Sequence, residues 1–413
     1  MKILYRWLLL CTLLLLFCSC GGKANYIYED GYIYKLENNS EYVLYRANEQ
    51  RSKILQIPSV IQSCPVVGIG EFAFSDNQTI EKIVFPDSIT FVDQAAFIAC
   101  RNVKSIYFGT GLQKIDCTSF ADCYSLSDLT ISPQNPYFYI KDNCLIDRKL
   151  FALILGGKTS KIPEEVLSIE ANAFSERNVQ HIDLPTNLEK IGDNAFSSSA
   201  LEEIILPEQL KEIGKGTFAY TPLQKITIPN QVKQITKDLF WGCTRLEQIE
   251  IGTDVNEIDV SAFTDCVNLT SISISPENST YYSNQNCIVE RDTLRLVLCS
   301  NTCTIPSETR IIGTRAISAT LTSSVCKNLV IPRGVRELEH DAISSATMES
   351  VYIPESVLKM SAHAIVLYQG TVYCEASEQP EGWDTDWLST GKSNDVNVVW
   401  GYDFTQINAP EQQ

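Results

Sequence analysis

Apolar residues recur along this chain on a ruler of 22 or 23 residues. A phenylalanine in phrases such as IGEFAF, IGDNAF and IGKGTF marks each turn, at Phe74, Phe97, Phe120, Phe174, Phe196, Phe218, Phe240 and Phe263, and Ile317, Ile343 and Ile365 take its place later. Five positions before every marker stands an apolar residue, from Ile69 through Ile191 and Ile213 to Met360. Eight before stands another, with Thr309 the one polar exception. Self-similarity at this period predicts stacked coils, each too small to bury its apolar set alone.

One clean unit runs from Leu201 to Pro222. Leu201, Ile204 and Leu206 have the spacing L-x-x-I-x-L, and the last two alternate with an outward Ile205, as a short strand requires. Pro207 offers no N–H to a ladder and is expected to end that strand. Leu210 and Ile213 predict a second short extended edge, Gly214 a tight corner, and Phe218 a plug on the far side. The fold class expected is a β-rich repeat solenoid.

The phrase L-x-x-I-x-[LI]-P-x-x-V-x-x-I-G-x-x-A-F-x-x-C resembles the BspA-like leucine-rich-repeat family of bacterial surface proteins, over roughly residues 54–375. The resemblance implies leucine-rich repeats and attachment to host or neighbouring-cell components. It names no ligand, because one solenoid architecture serves many partners.

Two long intervals interrupt the ruler. Phe97 to Phe240 and Phe120 to Phe263 each span 143 residues, and Ile131-Ser132-Pro133 matches Ile274-Ser275-Pro276 at the same offset. The chain thus carries a longer duplication with modified coils near 131–162 and 274–305. Within them CLIDRKLFALIL (144–155) and CIVERDTLRLVL (287–298) read as β-hairpins. A similar phrase, YIYKLENNSEYVLY (32–45), predicts an N-terminal hairpin cap over 31–53 that shields the open strand edges. Residues 376–413 leave the ruler and read as a C-terminal cap and tail. There Trp383, Trp387 and Trp400 suit covering the last coil, with a ligand-gripping cluster as the alternative.

The N-terminus changes the compartment. Lys2 and Arg6 precede an apolar run from Trp7 to Phe17, which is a secretory signal over 1–19, too short to span a bilayer comfortably. Ser19-Cys20 after that run resembles the lipobox of bacterial lipoproteins. That implies lipidation at Cys20 and a tether over 20–30, the alternative being an ordinary cleaved signal. The expected place is the bacterial outer membrane or cell surface, reached through a lipid anchor only. Removing Lys2 and Arg6 takes the formal charge from −17 to −19, which disfavours nucleic acid as a partner.

Candidate chemistry is sparse. Cys100, Cys123, Cys243 and Cys266 each stand three places after a marker, where Ser199 and Thr221 also occur, so they read as buried packing thiols rather than staples. Cys299 and Cys303 are close enough in sequence for pairing to stay open. His181, His340 and His363 lie in separate repeats with no partner spacing. The string GGKT at 156–159 has Ala152 where a phosphate loop needs its first glycine. No cofactor, metal site or enzyme activity is expected.

Surface remains. The outward residues of the face strands form columns, and Tyr107, His181, Asp183, Glu203, Ile205, Lys225, Thr227, Glu250 and Tyr352 are the candidate ligand-binding residues, the tyrosines as anchors. Strands about 4.8 Å apart over a dozen coils predict a face roughly 55–60 Å long, suited to a protein or glycan partner, smoothest between Phe174 and Phe263. The expected function is an adhesin or receptor module, a monomer. The alternative is a structural or scaffold subunit of an outer-membrane assembly.

Overall fold

The computed structural model describes residues 25–37, 40–47, 52–300, 304–318, 327–390 and 395–407. Cys20 and Cys303 lie outside these residues, as does the signal segment. Two compact units are distinguished: residues up to Cys123 with Thr130–Phe138, and Tyr124–Leu129 with Tyr139 onward. Each is a β-solenoid, and among the described residues regular helix is confined to two short 3₁₀ turns.

In the first unit an antiparallel meander, Tyr26–Glu29, Tyr32–Glu37 and Glu41–Ala47, lays its last strand parallel to Cys64–Ile69. From there a parallel ladder passes through Phe91–Val92 to Lys114–Ile115. These short strands are the second edge of each coil. The face ladder runs through Ile54–Gln56, Lys82–Val84 and Ser105–Phe108. Inside, the marker rings form a parallel stack, Phe74 on Phe97 at 4.9 Å and Phe97 on Phe120 at 5.2 Å.

The second unit repeats this plan. A hairpin, Cys144–Asp147 with Ala152–Gly156, feeds a parallel second-edge ladder of Ser168–Ile169, Lys190–Ile191 and Glu212–Ile213. A second meander, Tyr281–Asn284, Cys287–Glu290 and Arg295–Cys299, feeds Ile311–Ile312, Glu337–Leu338 and Lys359–Met360 in the same way. Both expected hairpins are therefore present, and each acts as the starter strand of a coil stack. Phe174, Phe196, Phe218 and Phe240 stack at 5.3–6.0 Å between centroids, all fully buried.

Six of the eight phenylalanine plugs are held between two left-handed corners, and Phe120 and Phe263 keep only the second, at Asp122 and Asp265. In those six the residue two before the marker and the residue two after it take positive φ, as at Asn172 and Glu176, Asn194 and Ser198, or Asp238 and Gly242. Asn and Asp tolerate that region better than other side chains, and glycine does so freely. In the unit centred on Phe218 the corner is Gly216, at φ +59, and not Gly214 as the sequence suggests. Gly214 answers a different need: a Cβ there would stand 2.4 Å from the backbone nitrogen of Asp193 in the neighbouring coil. Where isoleucine replaces the marker, the turn becomes strand. Ile317–Ser318, Ile343–Ser345, Ile365–Leu367 and Leu388–Ser389 form a third ladder, as β-branched residues favour.

The face ladder departs from expectation. It is continuous through Lys225–Ile228, Gln248–Ile251 and Ser271–Ile274, but residues 181–185 and 201–207 form no strand. Arc length alone does not set this: the chain runs eight residues from Phe174 to Ile182, from Phe196 to Ile204 and from Phe218 to Ile226, and only the last of these reaches a paired strand. Ile182, Ile204 and Leu206 are still buried, so side-chain packing holds. Between these two segments the backbone keeps the bond from Glu202 N–H to Gln180 O, at 3.2 Å. The coils that look most regular in sequence thus carry the least regular face, and Pro207 has no strand to end.

The four cysteines that follow a marker phenylalanine are buried thiols, and each donates a hydrogen bond. Within the second unit Cys243 Sγ points to Phe218 O at 3.0 Å and Cys266 Sγ to Phe240 O at 3.2 Å, while in the first Cys100 reaches Phe74 O and Cys123 reaches Phe97 O. Each thiol satisfies the marker carbonyl of the coil before it. Arg177 occupies the same station after Phe174, fully buried, with Nε donating to Gly156 O at 3.3 Å and Nη1 to Ser175 O at 3.1 Å.

Candidate binding faces

Outward positions on the face divide into three clusters with different chemistry. In the first unit Tyr107 is half-buried and lies directly opposite Val84 in the parallel ladder. It makes a modest apolar step on an otherwise polar strand.

In the second unit His181, Asp183, Glu203 and Ile205 stand on irregular backbone. His181 Nδ1 lies 3.4 Å from Glu203 Oε1 in the next coil, with both side chains well exposed. Ile205 is 88% exposed, the most open of the large apolar side chains. Farther on, the regular ladder brings three expected residues together. Lys225 Nζ contacts Glu250 Oε1 at 2.8 Å, and Thr227 Oγ1 donates to Glu250 Oε2 at 3.0 Å. The Lys225 hydrogen bond, then that from Thr227, holds the Glu250 carboxyl below the usual carboxylate range. Thr227, Glu250 and Ser273 border a shallow groove of about 370 Å³ closed by Pro229, Gly252 and Pro276. These ion pairs are exposed and add little to stability.

The third cluster is aromatic. The last face ladder runs through Asn328–Val330, Ser350–Ile353, Gly370–Cys374 and Val396–Trp400, so Val330, Tyr352, Tyr373 and Val399 stand in one outward column. The Tyr352 and Tyr373 rings stack at 4.9 Å, 10° from parallel. Tyr402 leans on both, at 5.6 and 4.7 Å, and Phe404 meets Tyr402 at 6.4 Å. Arg333 sits over Phe404 and makes a bidentate pair with Glu375, at 2.6 and 3.0 Å. Half-exposed aromatics beside an arginine are what recognition surfaces concentrate. Tyr373 and Tyr402 escape sequence reading because they lie where the ruler ends. The available signal is the echo of VYIP at 351–354 in VYCE at 372–375. The tryptophans sit apart from this surface: Trp383 and Trp387 are buried, and Trp383 Nε1 donates to Val357 O at 3.0 Å.

A polar groove of about 850 Å³ follows the second edge of the eight-residue coils, bordered by Lys190, Asp193, Lys211, Glu212, Lys233 and Asp254. Lys190 pairs with Glu212 at 3.0 Å, and Lys211 with Glu189 at 3.1 Å. Its lining sets Lys190, Lys211 and Lys233 against Glu170, Asp193, Glu212 and Asp254, a near balance that gives it no strong preference for an ionic ligand. Among the described residues no group of His, Cys, Asp and Glu is placed to hold a metal, and no helix is long and apolar enough to cross a membrane.

The model of the BspA type Leucine rich repeat region matches six copies, over residues 51–168, 167–290 and 298–367. The chain belongs to this family. Among solved structures it is similar to a leucine rich cell surface protein from Faecalibacterium prausnitzii, at 17% identity over 94% of this chain and 97% of that one, with a TM-score of 0.45. A leucine-rich repeat protein from Eubacterium ventriosum shares 14% identity, over 90% of this chain and 99% of that one, with a TM-score of 0.44. One from Bacteroides ovatus shares 18%, over 82% and 95%, with a TM-score of 0.34. No curated protein matches. For this BspA-type chain the family assignment rests on the repeat match, which covers most of the sequence.

Proposed function

We propose that this leucine-rich-repeat chain is a surface-held binding protein, an adhesin or receptor module tethered through acyl chains at Cys20, that takes a protein partner on its strand face. The observation that carries the reading is the cluster of Tyr352, Tyr373 and Tyr402 on the last face ladder. The tyrosines offer large rigid area at small entropic cost, and Arg333 with Glu375 forms a polar rim beside them. Ring faces turned on one another present edges and hydroxyls outward, which suits a protein surface better than a sugar ring.

The test is binding of the purified full chain to immobilised protein and glycan arrays, followed by affinity measurement on whatever is retained. Truncating one such anchor costs roughly 1–2 kcal/mol, so Tyr352→Ala or Tyr373→Ala is expected to weaken the partner by about tenfold. Thermal unfolding should be little changed. Blank arrays with an intact fold would count against the reading, as would undiminished affinity in the double variant.

A further inference from the structure

Cys287 and Cys299 end the two strands of the second hairpin and are directly opposed in its antiparallel register. Both are fully buried, and their sulfur atoms lie 2.9 Å apart. Nowhere else among the described cysteines does one thiol face another so closely: Cys100, Cys123, Cys243 and Cys266 each turn to a main-chain carbonyl. The sister hairpin shows that the pair is an addition to the repeat pattern. There Cys144 is opposed by Gly156, and its thiol turns to Lys161 O at 3.5 Å and Asp142 O at 3.7 Å.

Position gives the pair a consequence. The hairpin is a partition buried on both sides: Ile288, Val297 and Leu298 pack into one core, and Val289 and Leu296 into the next. Cys287 and Cys299 close the base of that partition, opposite the turn at 291–294. Directly opposed residues of an antiparallel pair have Cα atoms about 4.5–5.5 Å apart, within the span a disulfide accepts. Bond formation needs the sulfur atoms to close by under about 1 Å, which a small χ1 change supplies.

We propose that Cys287 and Cys299 are a disulfide site, oxidised while the chain folds in the presence of a disulfide donor and then sealed in by the flanking coils. The chemistry balances by thiol–disulfide exchange. The thiolate of one cysteine attacks the donor disulfide to give a mixed disulfide and release one donor thiol. The second cysteine then displaces the other donor thiol, so two protons and two electrons pass from the pair to the donor.

Refolding the reduced full chain in a glutathione redox buffer tests this without reference to its cellular site or partner. After thiol blocking in denaturant, tryptic cleavage at Arg291 and Arg295 separates peptide 246–291 from peptide 296–310, which stay together only through a disulfide. The expected result is that linked pair, its bond placed at Cys287 and Cys299 by fragment masses, retained in Cys303→Ser and absent in Cys299→Ala. Recovery of Cys287 and Cys299 both blocked in the refolded wild type overturns the proposal. So does a bond from this pair of peptides that runs to Cys266 or Cys303.

Discussion

Replacing Asn278 by alanine is expected to loosen the second unit more than the loss of any surface ion pair. Asn278 is 1% exposed and stands where the modified coil turns into its meander. Its Nδ2 donates to Gly252 O at 3.1 Å and Val255 O at 2.8 Å in the coil before, while its Oδ1 accepts from Thr280 N at 2.9 Å and Tyr281 N at 2.8 Å. Gly252, Val255 and Tyr281 are buried, so three of the four orphaned backbone groups have no water to turn to. At about 1–3 kcal/mol for each buried unsatisfied group, reduced by relaxation, the loss comes to roughly 3–5 kcal/mol. Long repeat arrays need not unfold in one step, so the assay is hydrogen exchange at Thr280 and Tyr281 beside urea unfolding. Asn278→Asp keeps the volume and both acceptor contacts, but sets a carboxylate against two carbonyl oxygens. Its folded pKa would stand above the ordinary value, so stability should fall as pH rises from the unfolded pKa to the folded one. A loss under about 1 kcal/mol for the alanine variant, with exchange unchanged, would refute the reasoning.

Burial pushes the Cys243 thiol up to about 11, so its stabilising effect is complete below the unfolded thiol value and is lost as pH rises through about 11. Alkaline titration of unfolding, flattened in Cys243→Ser, checks this. Cys243→Val keeps the packing and leaves the Phe218 carbonyl to Thr221, whose Oγ1 donates to it at 2.7 Å, so it is expected to cost only about 0.5–1.5 kcal/mol in urea unfolding. Glu339 receives Arg295 in a bidentate pair at 2.9 and 2.6 Å and also Thr314 N at 2.9 Å, tying the meander to two later coils. The Arg295 hydrogen bond, ahead of the opposing desolvation, holds that carboxyl below its usual range, so its contribution is full above the unfolded value and fades as pH falls through the lowered one. Glu339→Gln is expected to cost about 1–2 kcal/mol at neutral pH, measured by thermal unfolding, and progressively less on acidification.

Much of this architecture is legible in one dimension because each coil meets chiefly its neighbours. The marker phenylalanines, the buried Ile or Leu five residues earlier and the two hairpins all follow from spacing. Asn278 and Asn135 were also in plain view at the 143-residue offset, in SPENS and SPQNP, but nothing in their spacing tells that a small amide is the knot of a coil. Arg177 was less accessible still. A charged residue after a marker reads as surface, yet it replaces a thiol where the hairpin leaves the Gly156 carbonyl to be satisfied. Among the candidate site residues, Lys225, Thr227 and Glu250 do converge, whereas His181 pairs with Glu203 rather than with its sequence neighbour Asp183.

By itself the sequence determined the repeat, the fold class and which residues point inward, because apolar burial is periodic and periodicity survives in a string of letters. It also determined that the hairpins interrupt the stack. Only the tertiary structure decided where the face is a paired sheet, since Ile182, Ile204 and Ile226 share one sequence spacing and are all buried, yet only the last lies in a hydrogen-bonded ladder. Only it could gather Tyr352, Tyr373 and Tyr402 into one cluster, or set Cys287 against Cys299. Such meetings depend on register between chain segments, and register is fixed by distances in space that sequence spacing does not carry.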